Sequence, residues 1–457
     1  MLCMGGGKRG MLNARRLFCL ALAGIALAWM VAAGQAVADD APLPQNDKVM
    51  HLGVASCASS TCHGAVTSFT QSTVLLNEYV TWVRKDKHAK AYEVLLNDES
   101  KRIARNLGLK NAHEADLCLD CHADNVPAAQ RGPSFQLSEG VGCEACHGGS
   151  EKWLSSHAVG PPHAENISLG LYPTDDPVAR AELCLSCHFG NKDKFVTHRI
   201  MGAGHPRMSF ELDTFTQIQP AHFVIDEDYR KRKQVSDGVQ LWAVGQAVAA
   251  RELLAALTDP KRNRDGMFPE LVLFDCHACH SSMSKVDWRP TSTGNRTPGM
   301  PHVNGASLLM LRIVADAVEP ARGKAMAGKI RALHKAASQG MPQMVSAARD
   351  LRVLTDELVQ KFASHNFDAD AMQAILGGLI KTGLEGEYAD YAAAEQVAMA
   401  MDSIIAAMVD AQMVSDAKAR KLQTALDAVY NAVDREDSYS SWRFNKALKG
   451  MQGAIAS

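Results

Sequence analysis

Apolar residues recur every three or four positions through the last third of the chain, the period of helices that each bury one face. Leu351, Leu354, Leu358 and Phe362 make one stripe, and Met372, Ile375, Leu376, Leu379 and Ile380 a second. Val397, Met401, Ile404, Ile405 and Met408 make a third, and Leu422, Leu426, Val429 and Val433 a fourth. Residues 306–457 therefore read as a helical bundle, its methionines filling the core and its remaining faces serving as scaffold or as a homo-oligomer interface. Gly238 to Thr258 predicts one long helix with Leu253, Leu254 and Leu257 on one face. Upstream, helices are expected over Ser72–Leu96 and Glu99–Leu107, with Gly- and Pro-containing loops around Gly132-Pro133 and Gly160-Pro-Pro162. No strand-rich segment stands out, so the fold class is mainly α.

The first 38 residues break this pattern. Lys8, Arg9, Arg15 and Arg16 precede an apolar run from Leu17 to Ala33, and Ala36-Val37-Ala38 before Asp39 has the small-x-small form of a cleavage site. This reads as a signal peptide for export to the periplasm, with a retained membrane anchor as the alternative. Its removal takes four basic residues and no acidic ones, leaving 44 Lys and Arg against 50 Asp and Glu. An acidic mature chain makes nucleic acid an unsuitable partner. The basic run Tyr229-Arg-Lys-Arg-Lys233 is the exception, read as a solvated loop or a docking patch for another protein.

Cysteine usage changes the picture most. Cys3 and Cys19 fall in the leader, and the other ten of the 12 cysteines form pairs, each closed by a histidine. The pairs are Cys118-Leu-Asp-Cys121-His122, Cys143-Glu-Ala-Cys146-His147, Cys184-Leu-Ser-Cys187-His188 and Cys276-His-Ala-Cys279-His280, preceded by the wider Cys57-Ala-Ser-Ser-Thr-Cys62-His63. At this chain's Cys and His frequencies a C-x-x-C-H string arises by chance about 0.01 times, so four copies identify c-type haem attachment. Two thiols add to the vinyl groups of one porphyrin, and the adjacent histidine becomes the proximal iron ligand. A zinc reading leaves the recurrent histidine unexplained. Five haem c groups and their irons are expected, four within residues 39–225 and one within 226–305, where the long helix leads to the fifth site.

Of the 17 histidines, twelve remain after the five proximal ones, enough for a second imidazole on every iron. His88, following Trp82, and His157, following Trp153, are the expected distal ligands together with His198 and His205, which flank Arg199-Ile-Met-Gly-Ala-Gly204. His302, opening a helix after Pro298-Gly-Met-Pro301, completes the set. His51, His113, His163 and His222 stand in reserve, whereas His277, His334 and His365 read as ordinary imidazoles. Met201, Met208, Met283 and Met300 lie near motifs but suit core filling better. Arg199 and Arg207 have the fork geometry to pair with haem propionates.

The ordered run of Cys57/Cys62, Trp82, Lys87-His88-Ala-Lys-Ala91, Cys118-Leu-Asp-Cys-His122 and Gly140-Val-Gly-Cys-Glu-Ala-Cys-His-Gly148, with Trp153 and His157 behind it, resembles the cytochrome c-554 family and the wider multihaem group that includes hydroxylamine oxidoreductase. The likeness spans roughly residues 50–225. It implies electron transfer through closely packed, mostly bis-histidine haems, and supports His88 and His157 as distal ligands. The fifth motif and the long tail go beyond the four haems of the c-554 type.

Two functions follow from this reading. One is a relay between respiratory donors and acceptors, with redox proteins or a membrane quinol-oxidising complex as partners and no catalytic residue. The other is an oxidoreductase acting on a small nitrogen or sulfur compound, such as hydroxylamine, nitrite or nitric oxide, at one open iron. The lack of a Cys-x-x-Cys-Lys string favours the relay.

Overall fold

A computed structural model describes residues 42–70, 74–160, 162–280 and 302–456; the leader, Met283 and Met300 lie outside the described residues. The fold is mainly α, and among the described residues the one sheet is the small antiparallel hairpin Arg264–Asp265 with Phe268–Pro269.

The helix Gly238–Thr258 organises the rest. Asp237 starts it by accepting a hydrogen bond from the Gln240 backbone N–H. Its apolar residues extend almost all round, from Val239, Trp242 and Val244 to Leu254 and Leu257, all fully buried. A helix apolar on every side belongs inside a protein. One flank packs on Ala306–Val318, Met341–Ser364 and Tyr391–Asp410, and the other on Pro177–His188 and Leu212–Ile218. Gly245 permits the closest approach, because a Cβ there would stand 2.6 Å from the Cβ of Leu212. The central helix thus joins the tail bundle to the helix that ends in the fourth Cys-Cys-His motif.

The bundle contains the expected helices Met341–Ser364, Ala369–Leu384, Tyr391–Asp410 and Asp416–Asn431, with Val433 buried just beyond the last. Ala306–Val318, Pro320–Ala337 and Ser441–Ala456 add to them. Tyr391–Asp410 is long and apolar enough to cross a membrane, but most of it is buried against its neighbours.

Upstream the core is thin, and Leu95, Ala104, Ala112, Leu119 and Ala123 form a small separate cluster. Buried polar groups brace the loops instead. Glu144 accepts hydrogen bonds from the backbone N–H groups of Leu52, Gly53 and Ser150, at 2.7–2.8 Å. The helix expected over 72–96 is broken: Glu78–Lys85 stops at Asp86, whose extended backbone begins the tighter turn Lys87–Lys90 and whose carboxylate accepts from the His88 N–H. An aspartate competes with helix continuation in this way. Asp98–Leu107 matches its expected span, between the Asn97 cap and left-handed Gly108. The basic run 229–233 is no loop; it forms the end of the helix Glu227–Arg232, where Arg232 pairs with Asp228.

Leu254→Ala should destabilise the folded chain by about 2–5 kcal/mol, because it leaves a cavity in the central helix's contacts. Denaturant unfolding followed by far-UV circular dichroism checks this.

Candidate functional site

Each motif is wound so that its cysteines and histidine share a side. Cys118 to His122 lies in the helix Asp116–His122, Cys143–His147 forms one short helix, and Cys184 to His188 ends the helix Pro177–His188. Spacings of three and four residues put both thiols and the ring on one helical face. Cys276–Ala278 is a single 3-10 turn, with the His280 N–H bonded to the Cys276 carbonyl at 2.7 Å. In the wide motif the extra residues loop outward, and the His63 N–H still returns to the Cys57 carbonyl at 3.1 Å.

Every motif histidine faces a second histidine across a similar gap. Ring centroids are 6.1 Å apart for His63 and His157, 6.2 Å for His188 and His88, and 6.5 Å for His122 and His205. The separation is 6.3 Å for His147 and His222, and 6.4 Å for His280 and His198. An imidazole nitrogen binds a metal at about 2.0 Å and its ring centre lies about 1.1 Å behind, so two imidazoles on one iron hold their centroids about 6.2 Å apart. The donor set therefore fits haem iron with two axial imidazoles, and each motif histidine adjoins the two cysteines of its own motif. Among the described residues no three His, Cys, Asp or Glu side chains converge as a cage for a bare ion.

The other ring nitrogen is engaged in several of these histidines. Nδ1 of His63 meets Glu78 at 2.9 Å and that of His88 meets Asp86 at 2.9 Å. Nδ1 of His122, His157 and His205 meets the carbonyls of Ala91, Trp153 and Pro206 at 2.8–3.2 Å, and the His222 ring bonds the Pro220 backbone. Such bonds fix the tautomer and leave Nε2 for a metal. Burial pushes His147 down to about 3 and also lowers His122, His188 and His222, which favours the neutral, ligating form. The Glu78 and Asp86 carboxylates raise His63 and His88. His188 is further clamped by Phe210, stacked at 4.6 Å, and by Phe215.

Four of the five expected distal histidines thus meet a motif histidine. The fifth differs: His222, held in reserve, faces His147, whereas His302 lies 6.0 Å from His334 and opens no helix, the next one beginning at Ala306. No local signal marks His222, which reaches His147 only through tertiary packing. His113 neighbours Tyr92, His163 is bonded through Nε2 to Asp175, His277 lies beside Tyr391, and His365 packs on Phe367. Arg207 is committed to Glu395 and Glu436 and lies over Tyr391, which ties the fifth motif's surroundings to the tail.

The sites are neighbours. The Cys57 and Cys143 side chains adjoin one another, as do those of Cys121 and Cys187, and Lys194 donates to both the Cys187 sulfur and the Asp120 carbonyl. Asp86 also accepts from Gln219 at 3.0 Å, which connects the turn bearing His88 to the segment leading to His222.

His51 has a different role. It is fully buried with Nδ1 2.7 Å from Asp124 and Nε2 3.7 Å from Asp47. Burial opposes its charge, but the two carboxylates prevail and raise it to about 10. A folded value above the unfolded one, about 6.5, contributes stability that is full below about pH 6.5 and is lost as the pH rises through about 10. The stability gap between the parent and His51→Gln should therefore shrink between these pH values, as read by denaturant unfolding.

Residues 56–148, which include the first three motifs and His88, match the family model described as Cytochrome c554 and c-prime. No curated protein and no solved structure matches the chain. The matched segment is cytochrome c-554-like, and with further motifs of the same kind beyond it the chain is a multihaem c-type cytochrome in electron transfer, its cofactor haem c with its iron.

Proposed function

We propose that this chain is an exported pentahaem cytochrome that relays single electrons through five bis-histidine irons. One observation carries the proposal: all five motif histidines face a second histidine at 6.1–6.5 Å. The ligand pairs are then His63 with His157, His122 with His205, His147 with His222, His188 with His88, and His280 with His198. Haem supplies reversible one-electron chemistry, and two imidazoles leave no position for a substrate atom. The chain's own residues hold the rings, fix their tautomers and keep the sites close together.

The contacts favour the order His63, His147, His188, His122, His280. Cys57 meets Cys143, Asp86 and Gln219 connect the sites of His188 and His147, and Cys121 meets Cys187. The short helix His198–Gly202 leaves His205 three residues later, so one segment serves the sites of His280 and His122. A row of this kind suits a periplasmic protein passing electrons between a quinol-side donor and a soluble redox partner, with the tail bundle as scaffold or self-association surface.

The mature protein should carry five covalent haems by intact mass and pyridine haemochrome assay. Low-temperature electron paramagnetic resonance should show only low-spin ferric iron, and the reduced protein should not bind carbon monoxide. His222→Ala should create one high-spin, carbon monoxide-binding haem, and His302→Ala should create none. Stoichiometric carbon monoxide binding by the parent would instead favour an oxidoreductase with an open iron.

A further inference from the structure

The five pairs are not equivalent in what stands behind the rings. Behind His63 and His88 the partner of Nδ1 is a carboxylate, at 2.9 Å in both cases. Behind His122, His157 and His205 it is a neutral backbone carbonyl, and the His222 ring bonds the Pro220 backbone. Both carboxylates are themselves held in place. Glu78 starts the helix Glu78–Lys85 and accepts from the Leu76 N–H at 3.2 Å. Asp86 is buried, caps the following turn through the His88 N–H, and accepts from Gln219.

A carboxylate accepting the Nδ1 proton pulls that proton away and leaves more negative charge on the ring, which makes Nε2 a stronger donor to a metal. A stronger donor stabilises ferric over ferrous iron, so hydrogen bonding and local charge set the potential of a haem whose axial ligands are unchanged. We infer that Glu78 and Asp86 are positioning residues that set potential, lowering the midpoints of the sites of His63/His157 and His188/His88 below what the same ligands would give without the carboxylate. The inference rests on the bis-histidine reading of these sites. In the proposed order these two sites flank the His147/His222 site.

The test is potentiometric titration of the full holoprotein and of Glu78→Gln and Asp86→Asn, with electron paramagnetic resonance on the same samples. Both replacements keep an acceptor oxygen and remove the charge, and asparagine caps a turn about as well as aspartate. Each variant should raise one midpoint and leave four unchanged, with the ferrous-to-ferric ratio of that haem up about tenfold at fixed potential, ~59 mV for one electron. The double variant should move two midpoints, and each affected haem should shift its low-spin g-values without becoming high-spin. Five unmoved midpoints in both variants would overturn the inference. Conversion of the affected haem to high spin would also overturn it, because the carboxylate would then merely hold the ring. A high-spin signal in the parent would count against the bis-histidine reading instead.

Discussion

The gap between two facing imidazoles is the constraint to which the upstream half of this fold answers. Iron tolerates only a narrow range of ligand distance, yet the five pairs are built from quite different elements: turns, short helices and a loop after a proline. In four of the pairs a carbonyl or carboxylate bond holds at least one ring and selects its tautomer. A small apolar cluster and a network of buried carboxylates replace the usual core there. The central helix Gly238–Thr258 then fixes this loop-rich region to a conventionally packed bundle.

The proximal half of each site was legible because it is contiguous in sequence; a C-x-x-C-H string states its chemistry within one helical turn. The histidine facing each motif was legible only where company helped, as with Trp153 before His157 and the neighbouring His198 and His205, and its role as a distal ligand belongs to the proposed function. His222 carries no such mark, and its position depends on the Asp86–Gln219 bond and the path after the helix Leu212–Ile218. His302 looked suitable because it follows a proline-rich stretch and precedes a helix, but its carbonyl instead accepts the Asp275 N–H and its ring lies by His334.

Helices were readable where one stripe meets one core and less so elsewhere. The bundle's periodic stripes located its helices well. The span 72–96 misled because its apolar spacing continues through Asp86, whose capping side chain outweighs propensity.

The facing histidines are also far apart along the chain, roughly 75 to 100 residues in each pair. His63, His122 and His147 find their partners downstream, whereas His188 and His280 find theirs upstream. A chain emerging from its N-terminus therefore presents three motifs before their partners exist, and the last two only after theirs have appeared. Each closure overlaps its neighbours in sequence, so forming one shortens the search for the next, since the entropic cost of closing a loop falls as the loop becomes shorter. In the proposed bis-histidine reading the pairs tie the upstream region as interlaced cross-links do, so that loss of one partner would loosen a loop as well as a haem.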